Sequence, residues 1–390
     1  MKVILMNKNV KVLSGEIDSN NNFTKIIEIY NIDYAPLSVY NANFDKSSSV
    51  LKSLQNWFRD RGIPSWRKDL EKLLNKLGVK AQEELLLKSY GLSLSDCYFI
   101  KEENDNLLWE DINFFDNDFD YLGFLEATYS DNITNKISLK SPNNTTDGML
   151  SKAWIIDNGV RKLMKGTYTH SNQEPINEYI ASLICERLDI DHIDYKIDIY
   201  NNKLVSICDN CLNGNEEIIT AYDIYNSKIK DNQDSDYTHY MNILTSYGIK
   251  DARKKLSDMY LIDYIMMNYD RHMKNYGVIR DVDNLKINRV MPIFDTGQSL
   301  CCHKSLDEIN FNDGEYKLFT NVNAKLSALL DYINLDYYDL DKLKDIANIV
   351  NDTLYKYIRY TEMSIERIDK VTKGIEKRIN YLIELKNNSN

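Results

Sequence analysis

The stretch that most restricts what this chain can fold into is Asp270-Arg271-His272-Met273-Lys274-Asn275, followed by Asp295-Thr296-Gly297. Ahead of it, Leu256, Met259, Tyr260, Ile262, Asp263, Ile265 and Met266 recur at helical spacing, which predicts a buried helix delivering a rigid loop. Behind it, Tyr276-Gly277-Val278-Ile279 and Val290-Met291-Pro292-Ile293-Phe294 predict two short strands around the Asp283-Asn284 turn. Asp270 and Asp295 would then stand at the two ends of one hairpin-like unit. A lone Asp-Arg is usually a surface ion pair and a lone Asp-Thr-Gly a turn, but the ordered set on one hairpin is far more restrictive.

The residue types carry a chemistry. A carboxylate on a fixed loop can orient a hydroxyl and accept its proton in phosphoryl transfer, a role for Asp270. Mg²⁺ takes oxygen ligands, which suits the amide of Asn275 and the carboxylate of Asp295. Asp, then Asn five positions on, then Asp-x-Gly is the order of a base and two magnesium ligands in kinases. His272 is expected to buttress the loop through hydrogen bonds.

Such a site also needs a cation upstream. Trp154 to Lys165 predicts a hairpin turning at Asn158-Gly159, with Lys165 closing its second strand. Glu178 lies near the start of an apolar-periodic helix with Ile180, Ala181, Leu183, Ile184 and Leu188, opened by Pro175. A strand lysine held by a helix glutamate is how protein kinases fix the amine that meets the nucleotide phosphates. Lys162 and Lys152 compete for that role, and the less favoured alternative is that Lys165 and Glu178 are ordinary surface charges. The Ser141-Pro142-Asn143-Asn144-Thr145-Thr146-Asp147-Gly148 stretch precedes the hairpin and has no G-x-G-x-x-G or P-loop pattern. Phosphate contacts from it would come from backbone amides and from hydroxyls such as Thr145 and Thr146, which are also candidates for autophosphorylation.

These residues resemble the HipA-like serine/threonine kinases, bacterial enzymes with a distant protein-kinase fold, best known as toxins of toxin–antitoxin pairs. Asp270-Arg271-His272 through Asn275 resembles the family's catalytic loop, Asp295-Thr296-Gly297 with Ser299 its metal-binding segment, and Asn177-Glu178 its helix glutamate motif. Ala35-Pro36-Leu37-Ser38 and the run Trp57-Phe58 to Arg67 resemble its amino-terminal subdomain. The resemblance implies Asp270 as catalytic base, Asn275 and Asp295 as Mg²⁺ ligands, and Lys165 with Glu178 at ATP; Thr145, Thr146 and His272 are further candidates on the nucleotide side. It implies a protein substrate phosphorylated on a Ser or Thr hydroxyl, in some relatives on an aminoacyl-tRNA synthetase, and a small DNA-binding antitoxin as partner. The Ser141 to Gly148 loop departs from that of the better-known members, and 390 residues is short for their toxins.

Charge and length fit this reading. With 48 basic and 59 acidic residues, a net charge of −11 disfavours direct binding of nucleic acid, so DNA contact would come through a partner. No stretch has the apolar length of a membrane span and Met1 to Asn7 is too short for a signal sequence, so a cytoplasmic protein is expected. Six cysteines are then expected as reduced thiols; Cys208-x-x-Cys211 with Cys301-Cys302-His303 is a weaker zinc reading. Cys208 to Cys211 would fall near the hinge between lobes.

The expected fold is α+β, a two-lobed protein-kinase-like fold with a small mixed amino-terminal subdomain (1–125), a small lobe (126–212) and a mostly helical large lobe (213–390). Residues 1 to about 45 alternate apolar and polar, as in a small sheet, and 51–89 turn helical. Asn226 to Asp236 reads as an exposed connection. Ile365, Ile368, Thr372, Ile375, Ile379 and Leu382 form one helical seam, expected to pack on the large lobe rather than to dimerise. Arg59, Arg61, Arg67 and Lys68 read as a solvated helix face, or as a dock for an acidic partner. The alternatives are a lipid or small-molecule kinase, whose members also carry an Asp-Arg-His loop, and a catalytically silent kinase-like binding module.

Overall fold

The computed structural model describes the chain except residues 46–47, 66, 68–69, 131, 147, 149, 318, 320–323 and 390. Lys68 and Asp147, named above, and part of the run from Trp57 to Arg67 lie outside the described residues. In chain order the elements are β1 (Lys2–Asn7), β2 (Val10–Ile17), β3 (Phe23–Ile29), α1 (Leu37–Phe44), α2 (Val50–Asp60), α3 (Leu70–Leu77), α4 (Gln82–Lys88), β4 (Tyr98–Glu102), α5 (Trp109–Ile112) and α6 (Leu122–Tyr129). There follow β5 (Lys152–Asp157), β6 (Val160–Lys165), α7 (Glu174–Arg187), β7 (Tyr195–Tyr200), β8 (Lys203–Asp209), β9 (Glu216–Thr220), α8 (Ala221–Tyr225), α9 (Asp236–Ser246) and α10 (Ala252–Met266). The last are β10 (Gly277–Asp281), β11 (Ile287–Val290), β12 (Glu315–Tyr316), β13 (Ala324–Lys325), α11 (Ile346–Tyr357) and α12 (Ile365–Ser389).

The chain forms two compact units from interleaved segments: 1–164, 209–229 and 278–289 in the first; 165–208, 230–277 and 290–390 in the second. In the first unit, β1 sits inside the antiparallel order β3-β2-β1-β4. Val3 and Leu5 face a core with Leu54 and Phe58 of α2, while Ile4 and Met6 face one with Phe99, Trp109 and Phe114. Burial on both faces explains why β1 is a continuous Val-Ile-Leu-Met run and not an alternating one. The turn of the β5–β6 hairpin has Asn158 at φ 50° and Gly159 at φ 80°, the left-handed pair that a tight hairpin needs.

The expected basic face is not one. Arg61 pairs with Asp96 at 2.6 Å, donates to Gly91 O and lies over the Trp57 ring. Arg67 is buried and donates to the Thr146 and Gly148 carbonyls and to Thr146 Oγ1, so of the three arginines of this cluster only Arg59 remains exposed. The second strand of the predicted hairpin also falls earlier, at Ile287–Val290, beside β10 in a β11-β10-β9 sheet. Past Met291 the backbone is engaged elsewhere: Ile293 N donates to Asp191 O and Ile293 O accepts from Ile193 N.

In the second unit, β7 and β8 pair antiparallel from Tyr195↔Cys208 to Tyr200↔Lys203. Helix α10 is buried on every side from Leu256 to Met266 and ends on Met267 in the left-handed region, which redirects the chain into the Asp270 loop. Helix α12 packs on α11 and buries Ile368, Val371, Ile375, Ile379 and Leu382. Val371 takes the place expected for Thr372, and Ile365 is 59% exposed, outside the seam.

Candidate active site

Five of the expected residues, Lys165, Glu178, Asp270, Asn275 and Asp295, fall in the second unit together with His272. Lys165 is 2% exposed although it ends a strand, and its ammonium donates to Glu178 Oε1, to Asp295 Oδ1 at 2.6 Å and to Tyr195 Oη at 3.5 Å. It also lies 5.1 Å from the centre of the Tyr195 ring. Burial works against its charge, but the carboxylates of Asp295 and Glu178 outweigh that and hold its pKa well above the usual lysine value. Ser206 on β8 donates to the other oxygen of Glu178. The competitor Lys162 instead pairs with the exposed carboxylates of Asp157 and Asp209. Lys165, unlike Lys162, is buried between two carboxylates.

The Asp270 loop is held from beneath by an ion pair that the sequence reading did not identify. Arg271 is buried and forks onto Asp263 of α10, Nε to Oδ2 and Nη2 to Oδ1, both at 2.9 Å. Asn268 and Tyr316 also donate to that carboxylate, at 2.8 Å each, so all its acceptor directions are used. The remaining nitrogen of Arg271 donates to Asn275 O and Phe294 O, tying the loop to the residue before Asp295. The available signal was an Asp in the middle of the otherwise apolar run from Met259 to Met267, eight residues before an Arg. Tyr195 and Ser206 gave no sequence signal.

Above this anchor the functional groups remain open. Asn275 Nδ2 donates to Asp270 O, which fixes which end of its amide is oxygen, and among the described residues Oδ1 takes no hydrogen bond. The Asp270 carboxylate likewise takes none among them; its backbone N–H donates to Asn268 Oδ1. Burial, and then the neighbouring Asp295 charge, raise the Asp270 pKa, with His272, Lys317 and Arg271 pulling it back. His272 braces the loop: its N–H donates to Asp270 O and its Nδ1 accepts from Lys274 N.

Asp295 adopts φ 55°, a left-handed conformation that Asp tolerates better than most residues. Its side chain is 22% exposed while that of Lys165 is 2%, so it reaches from the buried ammonium toward the surface. Among the described residues no cluster of three or more His, Cys, Asp and Glu side chains is gathered as for a metal ion. An amide oxygen and a carboxylate still match Mg²⁺, which commonly takes one or two protein ligands and completes its shell with phosphate and water. None of Cys97, Cys185, Cys208, Cys211, Cys301 and Cys302 is in a disulfide, and among the described residues they are not gathered into such a cluster.

Thr145 and Thr146 belong to the first unit. Thr145 Oγ1 donates to the Leu92 and Pro142 carbonyls, and buried Thr146 donates to Asn143 O beneath Arg67. Among the described residues no helix is long and apolar enough to cross a membrane.

No protein-family model matches the chain, and no curated protein matches it in sequence. Among solved structures, HipA of Shewanella oneidensis MR-1, from a complex of a toxin–antitoxin system with HipB and operator DNA, is similar over 97% of both chains, with 12% identity and a TM-score of 0.52. The proinflammatory kinase CtkA of Helicobacter pylori covers 60% of this chain and 95% of its own, with 19% identity and a TM-score of 0.46. At such identity the likeness to HipA is one of architecture: this chain, a mixed α/β protein, has the HipA-like kinase fold.

Proposed function

We propose that this protein is a Mg²⁺- and ATP-dependent kinase that transfers the γ-phosphate to a serine or threonine hydroxyl of a protein. The observation that carries the reading is the Lys165 ammonium, buried and shared by Glu178 and Asp295, in the same unit as a loop whose Asp270 and Asn275 keep open oxygens. Lys165 would meet the nucleotide phosphates and Glu178 would hold it in place. Mg²⁺, bound by Asn275 and Asp295, would neutralise charge on the phosphates. Asp270 would orient the acceptor hydroxyl and take its proton; its raised pKa brings it nearer the working pH than an ordinary carboxylate. Lys165 remains protonated throughout, so it acts as a fixed positive charge and not as a proton donor.

A toxin–antitoxin setting is part of the proposal. HipA, whose fold this chain shares, occurs in a complex with HipB and DNA. With a net charge of −11, any DNA contact here would fall to a small DNA-binding partner. Autophosphorylation at Thr145 or Thr146 requires their hydroxyls to leave the carbonyls that now bind them.

Equilibrium binding of ATP tests the reading. Affinity should rise when Mg²⁺ is added, and Asp295→Ala should remove that rise; ATP binding that ignores Mg²⁺ in the unmodified protein overturns the assignment of Asn275 and Asp295.

A further inference from the structure

Three non-glycine residues of the segment after Phe294 adopt left-handed backbone conformations: Asp295, Leu300 and Cys301, at φ 55°, 50° and 56°. Such conformations cost on the order of 1–3 kcal/mol each and persist only where the surroundings enforce them. Much of that enforcement comes from the carboxy-terminal helix. Arg367 of α12 is buried, and its Nη2 donates to Cys301 O at 2.6 Å and its Nη1 to Lys304 O at 2.9 Å. Its Nε donates to Gln173 Oε1 at 3.3 Å.

From Gln173 a relay runs back to the candidate metal segment. Gln173 Nε2 donates to Asn177 Oδ1 at 2.8 Å and to Leu300 O at 3.5 Å. Asn177 Nδ2 donates to Gly297 O at 2.7 Å and to Ser299 O at 2.8 Å. Gln173 and Asn177 are fully buried, and Asn177 immediately precedes Glu178.

The direction of the relay matters. A primary amide can present either its oxygen or its NH₂, whereas a guanidinium only donates. Arg367 therefore obliges Gln173 to turn its oxygen outward and its NH₂ toward Asn177. That in turn obliges Asn177 to point its NH₂ at the two carbonyls. Reversed, Asn177 would set an acceptor against two acceptors beside Asp295.

We propose that Arg367 is a positioning residue for Asp295, setting the polarity of the Gln173–Asn177 relay that holds the Asp295 to Ser299 backbone in its metal-binding shape. The inference rests on the kinase reading above. It makes the carboxy-terminal helix part of the machinery that tunes Mg²⁺ affinity, with Arg367 72 residues along the chain from Asp295, the nearest proposed ligand.

The test is equilibrium binding of ATP with and without Mg²⁺, together with thermal unfolding, on Arg367→Met, Arg367→Lys, Gln173→Met and the Arg367→Met/Gln173→Met double variant. Arg378→Met is the control, since Arg378 is also buried in α12 and binds carbonyls, those of Tyr264 and Phe311, but has no place in the relay. Arg367→Met should weaken Mg²⁺-ATP binding about 10- to 100-fold, the usual cost of losing an outer-shell partner, while Mg²⁺-free ATP binding stays nearly unchanged. Arg367→Lys, still an obligate donor, should recover part of the loss. The double variant should be no worse than the more affected single variant, because both cut one relay. Arg378→Met should lower the melting temperature without changing the Mg²⁺ dependence. If Arg367→Met does not fold, Gln173→Met carries the test, since it leaves the carbonyl bonds of Arg367 intact. Equal losses with and without Mg²⁺, additive losses in the double variant, or a Mg²⁺-specific loss in Arg378→Met would overturn the inference while leaving the kinase reading in place. A wild-type protein whose ATP binding ignores Mg²⁺ would overturn both.

Discussion

The surroundings of Lys165 and those of Asp270 are built on opposite terms, although both belong to one unit of the chain. Around Lys165 every charge is compensated from within: an ammonium buried at 2% exposure meets two carboxylates, and a serine donates to the further oxygen of Glu178. Around Asp270 the compensation stops one layer below the surface, at the fully bonded Arg271–Asp263 pair, and the side-chain oxygens of Asp270 and Asn275 above it accept no hydrogen bond among the described residues. The first region behaves as a framework and the second as a place kept for something else. Asp295 links the two kinds of environment: one of its oxygens is paired with Lys165, yet it is the more exposed member of the pair.

The contrast can be broken by stability measurements. Lys165→Met should cost about 3–5 kcal/mol in denaturant unfolding, because it leaves carboxylates buried without their cation; a cost near zero would mean that Lys165 is not a framework charge. Gly374→Ala bears on the helix that clamps the segment after Asp295. A Cβ there would come within 2.2 Å of the Phe311 ring, so a loss of about 1–3 kcal/mol is expected in spite of the better helix propensity of alanine. Asp270→Asn should have the smallest effect and the opposite sign. Burial raises the pKa of Asp270 in the folded state, so its contribution to stability is complete below the unfolded value and is lost as pH rises through the folded one. The variant should therefore melt slightly above the unmodified protein at neutral pH, with the gap closing in acid. A variant that melts lower at neutral pH would mean that the carboxylate is structural.

The sequence carries the local features of this site better than its supports. The Asn158-Gly159 turn, the helix opened by Pro175 and the apolar periodicity of 256–266 are set by short-range physics, and each forms close to where its pattern predicts. The second strand of the 277–290 hairpin is shifted because Ile293 finds backbone partners in Asp191 and Ile193, about a hundred residues away. The basic cluster of Arg59, Arg61 and Arg67 misleads for the same reason: Asp96 and the carbonyls of Thr146 and Gly148 are distant in sequence, and nothing local marks Arg61 and Arg67 as internally bonded. Asp263 and Asn177 are buried polar residues on helices, visible as exceptions to an apolar pattern, and Gln173 is a buried polar residue just before one; all three are readable only once their partners are known.

Phosphate transfer tests the central claim most directly: intact mass of the protein and release of ADP, measured before and after incubation with Mg²⁺ and ATP, beside an Asp270→Asn control. The account predicts ADP formation, with or without added phosphate on the protein, falling by roughly 10²- to 10⁴-fold in the control, the usual contribution of a general base. No ADP and no added phosphate from the unmodified protein in the presence of a hydroxyl-bearing protein substrate, or equal turnover in Asp270→Asn, would contradict it.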